Sequence, residues 1–476
     1  MAVDAELAFA SISEIGNLYR RRKLSPVELT GFLLNRIEQL NPRLNAYITV
    51  AADQAIKQAR KAQAELFAGK GSRRDRGSLH GVPISLKDNI YTEGIRTTAG
   101  SKILRDFVPL HDAPVVASLK RAGAIFLGKT NMHEFAYGVT TENPHFGPAR
   151  NPWDLERTPG GSSGGSAAAL AAGLCYGSIG TDTGGSIRIP ASLCGVVGLK
   201  PGLARVNAED VVPLSPTLDF VGPLARTVAD VALLLEPICL LGKSERRLLP
   251  RRFPSPRGRR PRLGIPIEFF FDVVSPEVAS AFESALGILR KNGATLKKVS
   301  LPLLDETEDA GNQIAWPEAA LYHQEAGLFP DRAGEYGEDV RTRIAMGAKV
   351  SAVQYLRALE LREKFIAALH LTLQDNELDA LIVPTTPITA PRIGQENISI
   401  NGTVHPTRAL LLRLNRPANL AGVPAISVPC GLTQGGLPVG LQFIGAVTDE
   451  ALLLEFAHQF EQACLLDARP NLAAIV

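Results

Sequence analysis

An α/β architecture with a largely covered sheet is what this sequence predicts, on two observations. Short apolar runs, Val82–Leu86, Ala124–Leu127 and Ala380–Val383, have the length and composition of buried strands. Between such runs lie helical patterns, among them Ala113–Ala122 just before the second run. Strands alternating with helices in this way favour a sheet covered by helices. The 45% hydrophobic fraction is ample for such a core, and 21% charged residues is ordinary for a globular protein.

Along the chain, the helical N-terminal portion spans about 1–75. Ser11 precedes an amphipathic run with Glu14 three residues on, the pattern of a capping box. Ser25-Pro26-Val27-Glu28 combines a capping serine, a first-turn proline and an early acid. Ala51–Ala68, rich in Ala, Gln and Lys, reads as a solvent-facing helix. A core of about 76–240 follows. The segment at about 241–264 then carries nine Lys or Arg against one Glu, with four prolines, and reads as an exposed basic loop. In the second portion, about 265–476, residues 306–375 look helical and Asn419–Gly445 returns to turns and β-like runs.

A net charge of +3 gives no reason to expect a nucleic-acid partner. The N-terminus does not resemble a secretory signal, and no uninterrupted run of 18 apolar residues suggests a membrane span, so a cytoplasmic location is expected. The five cysteines, Cys175, Cys194, Cys239, Cys430 and Cys464, are scattered without a CxxC pair and read as reduced structural thiols.

Two motif matches mislead. Gly123–Thr130 fits GxxxxGK[ST], but its interior, Ala124-Ile125-Phe126-Leu127, is itself a strand candidate and cannot also wrap a phosphate. Gly160–Gly164 fits GxSxG, yet a nucleophile elbow needs a strand before it, and here the polar loop NPWDLERTP precedes.

What carries chemistry is a set of three residues. Ser162 and Ser186 are each flanked by glycines, 24 positions apart, and Lys87 ends an apolar run 75 positions before the first. A serine needs a base, and a lysine acts as one only when neutral. Burial at a strand end lowers a lysine pKa in that direction, whereas pairing with Asp88 would oppose it. The run Thr181-Asp-Thr-Gly-Gly-Ser186 allows a tight turn whose backbone N–H groups converge on a developing oxyanion.

The passages GVPISLKDN, GAIFLGKTNMHEFAYG, TPGGSSGGSAAALAAG, GSIGTDTGGSIRIPASLCGVVGLKP and NLAGVPAISVPCG resemble those of the amidase signature family, in the family's order and over most of the chain. The resemblance implies one compact α/β/α domain, with a mixed central β-sheet covered by helices on both faces. It implies Ser186 as nucleophile, Lys87 as base and Ser162 as bridging hydroxyl, with a cis peptide before Ser162. The N–H groups of Thr183, Gly184, Gly185 and Ser186 would form the oxyanion hole, supported by Ser163, Asp182 and Arg188. No metal or organic cofactor is implied.

Two family roles are open to this chain. One is an amidase acting on small aryl or alkyl amides, its partner a small-molecule substrate, with no nucleic acid or membrane and with a homodimer left open. The alternative is the glutaminase subunit of a tRNA-dependent amidotransferase. Arg362 would match that subunit's carboxylate-binding arginine, but ALLLRLNRPANLAG lacks the ammonium-binding acid expected shortly before NLAG. The first role is therefore favoured. Met132, Phe135, Tyr137, Ile187, Trp316 and Tyr322 are candidates to line an apolar pocket.

Overall fold

The computed structural model describes residues 5–68, 75–240, 259–446 and 450–474. Near the N-terminus both serine signals start helices. Ser11 and Ser25 cap Ile12–Arg20 and Pro26–Leu44, each with its glutamate bonded back in a reciprocal capping box. Helix Ala52–Phe67 is not wholly solvent-facing: Ala55, Ala59 and Ala62, one and two turns apart, are buried and seat the helix against the sheet.

Strands follow in the order β1 (Tyr47–Val50), β2 (Pro83–Lys87), β3 (Ile125–Thr130), β4 (Glu142–Asn143), β5 (Gly147–Pro148), β6 (Gly177–Asp182), β7 (Val197–Lys200) and β8 (Phe220–Ala225). After them come β9 (Arg262–Pro266), β10 (Thr295–Val299), β11 (Ala380–Pro384), β12 (Asn397–Ile400), β13 (Thr403–Pro406), β14 (Ala425–Leu432) and β15 (Pro438–Ile444). Eleven of these form one sheet ordered β1-β3-β2-β6-β8-β7-β14-β15-β11-β9-β10, while β4–β5 and β12–β13 are separate hairpins. The sheet is mixed. β2 runs parallel to both β3 and β6, β9 runs parallel to β10 and β11, and the other pairings are antiparallel. Helices cover both faces, giving a single α/β domain.

The three apolar runs fall where expected, in β2, β3 and β11, each buried along its whole length. Two boundaries differ from the sequence reading. The N-terminal portion is not helical throughout, because the aromatic and β-branched run at Tyr47–Val50 pairs with β3 as an edge strand. The last residues of the expected basic loop also belong to the sheet: β9 begins at Arg262, and Arg259 and Arg262 pair with Asp379 at 2.6 and 3.2 Å. Residues 241–258 of that loop lie outside the described residues. The segment 306–375 resolves into helices Thr307–Glu325, Glu338–Gly347 and Ala352–Asp375. Among the described residues, no helix is long and apolar enough to cross a membrane.

The phosphate-loop pattern is a strand. Its lysine, Lys129, is fully buried and donates to Ile90 O, Thr92 Oγ1 and Thr97 Oγ1, so it ties the following loop rather than a ligand.

Candidate active site

Parallel strands place their carboxyl ends at one edge, and the connections beyond such ends are where α/β proteins collect functional groups. Lys87 is the last residue of β2, and Thr181 and Asp182 are the last two of its parallel neighbour β6. The Lys87 side chain is fully buried. Its Nζ donates to Ser162 Oγ at 2.7 Å and to Thr181 Oγ1 at 2.6 Å. Burial lowers the Lys87 ammonium to about 7, against the attraction of Asp219 and Asp182. The pairing with Asp88 does not occur. That carboxylate instead accepts from the backbone N–H and hydroxyl of Thr98, and holds the following turn.

Two glycine-serine turns meet around this lysine. The Gly161–Ser162 peptide is cis, as the family resemblance implies, and Ser162 O accepts from His133 N at 3.2 Å. A side chain at Gly161 would press on Thr141 Oγ1 at 2.8 Å and on two backbone nitrogens at 2.9 Å, so only glycine fits. Ser163 joins the turns: its N–H donates to Ser186 O at 3.2 Å and its hydroxyl to Thr181 O at 3.1 Å. Helix Gly164–Ala171 then leaves the turn buried on every side, which its Ala/Gly composition permits.

Asp182 organises the second turn. Its Oδ1 accepts from Gly185 N at 2.7 Å and its Oδ2 from Ile187 N at 3.1 Å. Arg188 grips both oxygens, Nη2 to Oδ1 at 2.9 Å and Nε to Oδ2 at 3.0 Å, with both side chains wholly buried. Burial pushes the Asp182 carboxyl up, but Arg188 and the Asn419 amide outweigh it and hold the group well below the usual carboxylate range. Arg188 also donates to Asn415 O and Gln442 Oε1, which fastens the turn to the C-terminal part of the sheet.

Of the four N–H groups expected to face an oxyanion, that of Gly185 is committed to Asp182, while Thr183, Gly184 and Ser186 line a recess. Gly185 has φ +124, and a side chain there would sit 2.6 Å from Asn415 Cβ. Gly185→Ala is therefore expected to shift the turn that carries Ser186, lowering kcat/KM at least tenfold with a smaller loss of thermal stability. Steady-state kinetics beside a melting curve will show whether activity falls further than folding.

Ser186 is 4% exposed and opens onto this recess. Two of the six expected pocket residues, Tyr137 and Trp316, line it. Met132 and Phe135 instead pack in a neighbouring core, with Tyr322 against them. Ile187 points the other way, under the sheet: its Cγ2 would lie 2.9 Å from a side chain at Gly198, and its Cδ1 3.1 Å from one at Gly222. Arg362 is not among the lining residues, and its Nε donates to Leu420 O at 2.9 Å. Leu412, in the stretch before NLAG where the amidotransferase role calls for an acid, occupies the wall together with Arg408 and Arg416. Among the described residues, no histidine lines the recess.

Sequence reasoning missed Thr181 as the second acceptor of Lys87, and Asp219, whose Oδ1 accepts from the Thr183 hydroxyl. It also assigned no part to Asn419, whose Nδ2 donates to Asp182 O at 3.1 Å and to its Oδ1 at 2.9 Å. Thr181 heads the TDTGGS run and was accessible from it. Asp219 lies in a stretch with no motif.

The family model described as Amidase matches residues 28–454. A glutamyl-tRNA(Gln) amidotransferase subunit of Moorella thermoacetica is 40% identical over 96% of this chain and 97% of its own length. A crystal structure of an amidase superposes with TM-score 0.87 at 34% identity, covering 95% of this chain and 99% of that one. The corresponding amidotransferase subunit from Thermotoga maritima superposes with TM-score 0.77 at 35% identity, covering 97% and 96%.

Proposed function

Because this chain belongs to the Amidase family and is a serine amidohydrolase, we propose that it cleaves a carboxylic amide through an acyl-enzyme on Ser186. The observation that carries this reading is the Lys87 Nζ–Ser162 Oγ hydrogen bond, in a site dry enough to bring the lysine to about 7. In the proposed cycle, Ser186 Oγ bonds to the amide carbon while its proton passes through Ser162 Oγ to neutral Lys87. The resulting oxyanion takes hydrogen bonds from the N–H groups of Thr183, Gly184 and Ser186. The C–N bond then breaks, and the proton returns from Lys87 through Ser162 to the departing nitrogen. Water attacks the ester by the same proton route and frees the acid. Ser163 and the Asp182–Arg188 pair hold the two turns in register.

For the finer role, the relatives support the alternative, the glutaminase subunit of a tRNA-dependent amidotransferase, more directly than they support hydrolysis of small aryl or alkyl amides. Against it stand the recess lining, which contains no Asp or Glu among the described residues, and an Arg362 that lies outside that lining. Ammonia release by the purified chain from hexanamide, benzamide and glutamine, with Ser186→Ala as control, separates the roles. Turnover without a partner that vanishes in Ser186→Ala is the result expected of a self-sufficient amidase. Activity that appears only with added amidotransferase subunits would establish the other role, and turnover surviving in Ser186→Ala would overturn the acyl-enzyme.

A further inference from the structure

The recess beside Ser186 holds cations and hydrogen-bond donors that amide cleavage does not use. Arg416 is 7% exposed and runs along the recess between two glycines. A side chain at Gly311 would collide with its Nη1 at 2.9 Å, so that glycine makes room for the guanidinium, while one at Gly184 would lie alongside its stem at 3.7 Å. One arm of that guanidinium donates to Glu308 O at 2.8 Å. Arg408, in helix Thr407–Arg413, lines the same recess, and its buried Nε has no hydrogen-bond partner among the described residues. Two further donors on the wall are buried and likewise unpartnered there: the hydroxyl of Tyr137, which is 2% exposed, and the indole Nε1 of Trp316.

This charge is not balanced at close range. Among the described residues, neither Arg408 nor Arg416 has a carboxylate within 4 Å, and no acid lines the recess. The acids of this corner act elsewhere or from farther off. Asp339 pairs with Arg343 at 3.0 Å and His133 at 2.9 Å, while Glu308 attracts both recess guanidiniums, and Asp309 attracts Arg416, only at longer range. Burial, followed by repulsion from Arg343 and Arg416, brings Arg408 down to about 9. Buried donors without protein partners and cations without nearby carboxylates suit an anion, which would satisfy both at once. Guanidiniums match the planar fork of a carboxylate.

We infer that the recess takes an amide whose acyl group ends in a carboxylate, held by Arg408 and Arg416 with the Tyr137 hydroxyl and the Trp316 N–H donating to it. This rests on the amide-hydrolase reading and narrows its substrate class from apolar amides to half-amides of dicarboxylic acids. It also disfavours a substrate with a free ammonium beside the carboxylate, since no acid among the described residues waits for it.

The test measures kcat/KM for the half-amides of malonate through adipate against neutral amides of equal length and against glutamine. In parallel, calorimetry follows binding of the same compounds to Ser186→Ala. The best half-amide is expected to exceed its neutral counterpart about a hundredfold and glutamine about tenfold. Arg408→Met is expected to reduce the half-amide-to-neutral ratio at least tenfold, chiefly through KM. Tyr137→Phe, a smaller change, should reduce it a few-fold and serves if the arginine variant fails to fold. Equal rates on charged and neutral amides, a preference for glutamine, or a ratio unmoved by these variants would overturn the inference. So would the absence of selective binding to Ser186→Ala. Selective binding of half-amides without turnover by the native protein would leave the inference standing and sink the hydrolase reading instead.

Discussion

Lys87→Met is expected to lower kcat/KM for amide cleavage by about three orders of magnitude or more, while the protein still folds. A neutral, unbranched side chain fills the same buried space without an ammonium to desolvate, so the loss should be catalytic rather than structural. The pH profile gives a second reading of the same residue. In the proposed cycle only neutral Lys87 can accept the proton relayed from Ser186, and its ammonium form titrates at about 7. As pH falls below about 7 the lysine becomes protonated, and kcat/KM should fall tenfold per unit. Above that value it should level off. In Lys87→Met the residual rate should lack this limb. A native profile that is flat between pH 5 and 8, or a methionine variant that keeps a tenth of the activity, would show that Lys87 is not the base.

Arg188→Met is expected to be the most destabilising single substitution in the site. It leaves the Asp182 carboxylate buried with its strongest partner gone, and breaking such a pair costs roughly 3–5 kcal/mol out of a total stability of about 5–15 kcal/mol. The pH dependence follows from the direction of the Asp182 shift. Its carboxyl is held below the usual range in the folded protein, so the pair contributes fully above pH 4 and is lost as pH falls through the lowered folded value. In Arg188→Met burial acts with less opposition, the carboxyl titrates higher, and acid unfolding should begin at a higher pH than in the native protein. Urea denaturation at pH 7 and at pH 4.5 measures both effects. Arg188→Lys should recover only part of the loss, because one ammonium cannot grip both carboxylate oxygens while also reaching Asn415 O and Gln442 Oε1. A midpoint within experimental error of the native one would mean that the pair does not hold the turn.

Much of the fold was legible because its signals are short-range. The capping boxes at Ser11 and Ser25 need only four consecutive residues each, and both formed. The apolar runs of β2, β3 and β11 have the length and composition of buried strands, and each is one. Tyr47–Val50 was not recognised because a four-residue edge strand is defined by the partner it pairs with, and β3 lies far along the chain. Likewise, Ile187 looked like a pocket residue next to Ser186. The turn that presents the serine sends its neighbour to the opposite side, into space that Gly198 and Gly222 leave open.

By itself the sequence determined the two glycine-serine turns and the apolar strand that ends in Lys87. Tight turns depend on local backbone freedom, and glycines supply it at the positions where they stand. Only the tertiary structure decided what surrounds those groups. Thr181 reaches Lys87 because β6 runs parallel to β2, and Asn419 reaches Asp182 across 237 positions. Arg408 and Arg416 share a wall with Ser186 because a C-terminal pair of short helices closes over the same strand ends. Desolvation, ion pairing and substrate fit depend on distances through space, and those are set by packing.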